Sequence, residues 1–338
     1  MKKTIVSLLL ILMVIALVVG VDVYRKVLKP YKGYGGSIRI LIEKGSSVST
    51  IGKLLYQKKI IPSYAYFSIY YRLFYTSIKL KSGEYRFDKA LTMKQIIEKL
   101  NRGKVILYKI TIKEGMTINE TADFLESNHH IDSHDFLNAC RENNRISDVD
   151  SKATDLEGYL FPETYLVPHQ TGAEELVSLM VGKFKSSFTH TMAWRAMDIK
   201  FSIRDVIILA SLIEKETSSR DERFLISSVF HNRLRLGIPL ACDPTIVYIL
   251  KKENRYTGKL RWKDLKIKSR FNTRLYKGLP PGPICSPGIA SIEAALYPAQ
   301  TKYLYFVAKD LKTHYFSKTL KEHNWAVRKY IINRERFK

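Results

Sequence analysis

Hydrophobic and polar positions are arranged along this chain in three distinct ways. Residues 5–21 are apolar apart from Ser7 and Gly20, and Lys2 and Lys3 precede them. A run of that length can cross a bilayer, at the short end of the usual range. No Ala-x-Ala-like cleavage site precedes Asp22, so an uncleaved single-pass anchor is expected over 5–21, with residues 1–4 as a cytoplasmic tip and 22–37 as a linker.

The second arrangement occurs twice. Residues 38–67 read as a strand (Ile-Arg-Ile-Leu-Ile), a turn at Gly45, a helix through Ile51, Leu54 and Leu55, then Ile60, Ile61 and Ser63. Residues 108–137 repeat it: Gly115 matches Gly45, Phe124 and Leu125 match Leu54 and Leu55, Ile131 matches Ile61, and Ser133 matches Ser63. The repeated unit is a strand followed by a capped helix. Between the copies, residues 82–87 read as a strand, and Thr92 opens a helix that ends at Arg102 and Gly103. Its apolar face is Leu91, Ile96, Ile97 and Leu100. Residues 38–105 are therefore expected to form a small αβ module, and 106–338 a larger α+β domain.

The third arrangement is a helix over 205–217, with Asp205 as its cap, whose positions 206–213 are apolar apart from Ser211. Apolar on most faces, it must be a core helix. It ends in Glu214 and Glu216, separated by Lys215. A carboxyl at the mouth of an apolar helix can have its pKa raised by desolvation, as a general acid near neutral pH requires. A last turn that has simply reached solvent would look the same, and helical periodicity does not choose between the two glutamates.

The flanking segments add candidate chemistry. Residues 156–165 crowd Glu157, Tyr159, Phe161, Glu163 and Tyr165 around Gly158 and Pro162, a mixture suited to a sugar site and equally to a closed loop. Further helices are expected near 174–188 and over 224–236, the latter bearing Asn232 and Arg233 and stopping at Gly237. In Asp243-Pro244-Thr245 the proline should fix a turn that holds Asp243 and Thr245 toward a cleft. The Pro- and Gly-rich stretch 278–288 should form a stiff loop suited to walling a groove. A strand pair at 303–308 and 314–316 leads to His323, Asn324 and a basic terminal helix.

Composition narrows the choice. At 338 residues with 46% hydrophobic content, the chain can build more than one core. A formal charge of +24 suits polyanions or anionic lipid. Nucleic acid is disfavoured, because the basic residues are dispersed without a recognisable binding motif. Cys140, Cys242 and Cys285 show no paired spacing, and the eight histidines contain no HExxH, so neither a metal nor another cofactor is called for. His129, His130 and His134 sit in a polar segment that reads as a solvated helix entrance. Four basic residues after the apolar run (Arg25, Lys26, Lys29, Lys32) outnumber the two before it, but long domains translocate largely regardless of that count.

Taken in order, residues 156–165, Ala-Ser-Leu-Ile-Glu-Lys-Glu-Thr at 210–217, Val-Phe-His-Asn-Arg-Leu at 229–234, Asp-Pro-Thr at 243–245 and Gly-Leu-Pro-Pro-Gly-Pro-Ile at 278–284 resemble the endolytic murein transglycosylase family, also called YceG-like. Tyr303 onward and His323-Asn324 extend the likeness. The chain departs from the family pattern at Phe271 and Arg274, at Ser286, and at Cys242, where a polar residue is usual. The resemblance implies an N-terminal transmembrane helix, a small LysM-like αβ module and an α+β catalytic domain outside the cytoplasm, on the periplasmic side of the inner membrane. It implies a lyase that cuts peptidoglycan glycan strands internally between N-acetylmuramic acid and N-acetylglucosamine, with no cofactor and with peptidoglycan synthases as candidate partners.

In such a reaction one carboxyl protonates the glycosidic oxygen, then takes the proton of the muramic acid 6-hydroxyl as that oxygen closes on the anomeric carbon. The resemblance assigns this role to the second glutamate, Glu216, and leaves Glu214 in support. Glu163, Tyr165, Asp243, Thr245, Asn272 and Thr273 are the candidates for substrate binding or orientation. Two rivals remain: an inert wall-binding scaffold, and a muramidase-type hydrolase pairing Glu216 with Asp243 or Glu163.

Overall fold

A computed structural model describes residues 2–310 and 313–332, with side chains from Ile5 onward. The chain forms two compact units. One comprises Met1–Lys109 with Leu166–Thr171, and the other Ile110–Tyr165 with Gly172–Lys338. Three two-stranded sheets and thirteen helices make up the described residues, in line with the mixed α+β class expected.

In the first unit, helix α1 (Lys2–Val23) runs on into a π-helical turn, Tyr24–Leu28, so the helix does not stop at Val21. Ile5–Leu28 is long and apolar enough to cross a membrane, and side chains 5–21 are all exposed. Strand β1 (Ile38–Ile42) is followed by α2 (Val48–Gln57) and α3 (Tyr64–Phe74), then β2 (Gly83–Phe87) and α4 (Met93–Arg102). β1 and β2 pair antiparallel, with Ile40 opposite Tyr85. The strand period of two puts Ile40, Ile42, Tyr85 and Phe87 on the buried face. Ile51 and Leu55 of α2, Phe67 of α3, and Ile96, Ile97 and Leu100 of α4 close over them, and Val27 joins the same core. Thr92 makes the expected capping box with Gln95, and Gly103 ends α4 in the left-handed conformation.

The expected repeat is present. Strand β3 (Leu107–Thr111), α5 (Ile118–His129) and α6 (Ser133–Arg141) reproduce β1, α2 and α3, with Gly45 and Gly115 both at positive φ. Leu55 and Leu125 are both fully buried. The match slips by one residue at the second helix: Ser63 caps α3, whereas Asp132, the residue before Ser133, caps α6.

Strand β4 (Thr164–Pro168) pairs with β3. Helices α7 (Ala173–Ser187), α8 (His190–Asp198), α9 (Ile203–Glu216), α10 (Arg220–Arg235), α11 (Pro244–Lys252) and α12 (Ile289–Leu296) build the second unit, and β5 (Tyr305–Ala308), β6 (His314–Ser317) and α13 (Leu320–Val327) complete it. α9 is the core helix expected, buried at every position from Val206 to Ile213 and packed by α8, α10, α11 and α12. Its cap is Ser202, however. Asp205 is the third helical residue and returns a hydrogen bond to the Ser202 backbone, completing a capping box. Pro244 likewise does not make a free turn: it occupies the first turn of α11, where its missing N–H costs nothing. Residues 333–338 of the expected terminal helix lie outside the described residues.

Ser211, the one polar residue in the α9 run, ties the Pro- and Gly-rich loop to the helix. Its hydroxyl donates to the Ile208 carbonyl at 2.7 Å and accepts the Ile284 N–H at 3.1 Å. The Cys285 thiol donates to the Ser211 carbonyl at 3.4 Å.

Candidate active site

Two residues apart on a helix, Glu214 and Glu216 leave α9 on different faces. Glu214 is fully engaged. Its Oε1 accepts from Arg223 Nη2 of α10 at 3.0 Å and its Oε2 accepts the Gly288 N–H at 3.0 Å. Both partners of that ion pair are nearly buried, at 6% and 9% exposure. The neighbouring Lys215 Nζ donates to the Gly115 carbonyl at 3.0 Å. The end of α9 is thus clamped to the loops on either side of it.

Glu216 is half-buried, and among the described residues no ion pair engages it. Burial pushes its carboxyl up to about 7, opposed by a hydrogen bond from the Cys242 thiol, reinforced by the Asp243 charge, and opposed by His314 and Arg233. Glu216 is among the residues lining a cavity of about 540 Å³, together with Glu114, Glu214, Thr217, Ser218 and Arg223. Glu114 is a second carboxyl raised by burial and by the neighbouring Glu214, with Arg223 pulling the other way. A half-buried acid on an open pocket, with a pKa near neutrality, can both give and take a proton at pH 7.

The segment bearing Cys242 and Asp243 is held from several sides. Arg233 of α10 donates from Nη1 to the Leu240 carbonyl at 2.7 Å and from Nε to the Leu304 carbonyl at 2.6 Å, and its guanidinium lies over the Tyr305 ring. Thr273 accepts the Cys242 N–H at 3.0 Å, and Thr245 donates to the Cys242 carbonyl at 2.7 Å. Asp243 accepts from Arg274 Nε at 2.6 Å.

The expected binding residues therefore divide. Asp243, with Arg274, stands beside Glu216. Thr245 and Thr273 are fully buried and position the Cys242 backbone. Asn272 is also buried, donating to the Leu265 and Ile267 carbonyls at 3.0 and 2.9 Å and accepting the Arg274 N–H at 3.0 Å. Tyr165 is buried and its hydroxyl donates to the Phe161 carbonyl at 2.5 Å, closing its own loop. Glu163 is exposed, pairs with Lys183 at 3.4 Å and is not among the residues lining the Glu216 cavity. His314 is bound through Nδ1 to Glu222 at 2.6 Å, and His323 stacks on Tyr305.

Two contributors carry no functional expectation from sequence, Glu114 and Arg223, whereas Gly288 belongs to the 278–288 loop expected to wall a groove. The only signal for Glu114 was its place beside the repeated Gly115. All three cysteines are free thiols in buried positions. Asp132, His134 and Asp135 approach one another closely enough to share a cation, but all three are exposed and Asp132 is already the α6 cap.

A sequence profile of the YceG-like family matches residues 40–329. A Bacillus subtilis protein named endolytic murein transglycosylase is 35% identical over 314 residues, covering 88% of this chain and 86% of its own. A Streptococcus pneumoniae protein of the same name is 27% identical over 87% of this chain, which spans 58% of that longer relative. A crystal structure of a protein described as YceG-like from Listeria monocytogenes superposes with a TM-score of 0.59 at 33% identity, covering 86% of this chain and 99% of that one. With its organising helix, its clamped loop and this likeness extending over nearly the whole length, the chain belongs to the YceG-like family.

Proposed function

We propose that this protein is an endolytic murein transglycosylase, a lyase held by one N-terminal span, with Glu216 as its acid and base. The observation that carries the assignment is the contrast at the end of α9. Both glutamates line the cavity, but Glu214 is held by Arg223 and the Gly288 N–H, while burial beside Cys242 and Asp243 raises the Glu216 carboxyl to about 7.

The protonated Glu216 donates to the glycosidic oxygen as the bond from that oxygen to the anomeric carbon of N-acetylmuramic acid breaks. The resulting carboxylate accepts the proton of the 6-hydroxyl, whose oxygen bonds to the same carbon and leaves a 1,6-anhydro end. Water takes no part, and the proton count on Glu216 is restored. The charge borne by Glu216 in mid-reaction is moderated by Arg233 and by the Cys242 thiol. Asp243 is already held by Arg274, which favours a single working carboxyl over the paired carboxyls of a hydrolase.

The β-α-α-β order of residues 38–87 supports the reading of the first unit as a LysM-like glycan-gripping module. Both units then lie on the outer face of the cell membrane, where the strands are, and synthases that extend those strands are the natural partners. Products formed in isotopically labelled water test the reaction class. Mass spectrometry should find anhydro ends without label, and labelled reducing ends would assign a hydrolase instead.

A further inference from the structure

The aromatic helix α3 lies in the first unit beside the end of the apolar N-terminal helix. Its sequence, Tyr-Ala-Tyr-Phe-Ser-Ile-Tyr-Tyr-Arg-Leu-Phe, buries only Phe67 fully. Tyr66 fixes its height: the hydroxyl donates to Asp22 Oδ2 at 2.6 Å, and Lys26 Nζ donates to the same oxygen at 3.0 Å. Asp22 is the first charged residue after the apolar run, so Tyr66 sits where a spanning helix would meet the head groups.

The helical stripe that begins at Tyr66 continues through Ile69 and Leu73, at spacings of three and four. Ile69 is 56% exposed, Leu73 69% and the adjacent Phe74 66%. Single exposed apolar side chains are ordinary, but Ile69 and Leu73 stand one above the other on the same face and mark a contact surface, while Phe74 lies on the stripe of Phe67 with its ring against Tyr70. Exposed Arg72 lies on α3 between Ile69 and Leu73, and exposed Arg25 belongs to the π-helical turn that α3 packs against. Those charges oppose a second copy of the same face and favour anionic head groups.

We infer that α3 is an interfacial helix, whose Ile69 and Leu73 enter the head-group region of an anionic bilayer beside the anchor. The inference rests on the proposed membrane anchoring. It gives the first unit a second hold on the lipid, beside the one that the apolar helix supplies through Val27 and Asp22.

Depth-dependent quenching tests it on the full chain in vesicles of phosphatidylcholine and phosphatidylglycerol. A Leu73→Cys variant carries an environment-sensitive fluorophore, the native thiols being buried, and Leu12→Cys reports the anchor. The expected result is loss of Leu73 fluorescence with lipids brominated near the head group, exceeding the loss with lipids brominated deep in the chain. Leu12 should show the reverse order. Quenching at Leu12 without any at Leu73 overturns the α3 inference while the anchor stands. No quenching at either position overturns both. A Leu73 signal that is unquenched and shifts with protein density would assign the face to a second copy and equally overturn the inference.

Discussion

Arg223 Nη2 donates to Glu214 Oε1 at 3.0 Å, and this pair gives the two glutamates closing α9 different surroundings. Glu214 loses its carboxylate to a guanidinium on the next helix. Glu216, one step further, has its carboxyl raised toward neutrality by burial. The clamp should thus be structural, and removing it should cost stability. In a Glu214→Gln variant Arg223 stays nearly buried without its close counter-ion, a change worth about 3 kcal/mol. The low end of the usual range applies because Glu114 still faces Arg223 at 3.6 Å. Denaturant unfolding measures it, and an unchanged midpoint would mean the pair contributes nothing.

The pH profile should follow Glu216. The first step needs its protonated form, so kcat/KM should fall about tenfold per pH unit above about pH 7. Two substitutions should move that limb in opposite directions. Cys242→Ala removes a donor to the carboxylate and should shift the limb to higher pH, whereas Asp243→Asn removes a neighbouring negative charge and should shift it lower. Limbs moving together, or not at all, would place the titrating group elsewhere.

Stability should also depend on pH through Glu157. Its carboxyl accepts the Ile118 N–H at the start of α5, yet burial pushes it up from 4.5 to about 8. A carboxyl raised on folding contributes stability that is complete below its unfolded pKa and is lost as pH rises through the folded value. Stability should fall between about pH 4.5 and pH 8 by on the order of a few kcal/mol. Glu157→Gln, which keeps an acceptor for Ile118, should flatten most of that decline and leave the smaller share due to Glu216. Parallel curves for the two proteins would contradict the assignment.

Gly158 should not tolerate a side chain. Its φ is +86°, and a Cβ there would lie 2.6 Å from Pro283 in the loop that Ser211 ties to α9. Gly158→Ala should cost about 1–3 kcal/mol from backbone strain, with crowding of Pro283 added to it. A melting curve like that of the parent protein would refute this.

How much of this was legible beforehand depended on how local each signal was. The apolar run of α9, the Thr92 capping box and the paired glycines of the repeat are written in neighbouring residues, and all are seen. Asp205 reads as the cap of α9, but an acidic residue serves equally at the third helical position, where it closes the box with Ser202. Pro244 misled because a turn and a helix start ask the same φ of proline. The roles of Glu214 and Glu216 could not be separated by periodicity, since they depend on Arg223 nine residues on and on a backbone N–H 74 residues away. Thr245, Asn272 and Thr273 carry hydroxyls and an amide that would suit a sugar, and only the fold reveals that their partners are backbone groups.

The central claim is that Glu216, and not Glu214, moves the proton. Uncrosslinked glycan strands incubated with the parent protein, with Glu216→Gln and with Glu214→Gln, each verified as folded, test it directly through the internal fragments released. Anhydro-ended fragments are expected from the parent and from Glu214→Gln below its unfolding temperature, and none from Glu216→Gln. Anhydro-ended fragments from Glu216→Gln at the parent rate would contradict it.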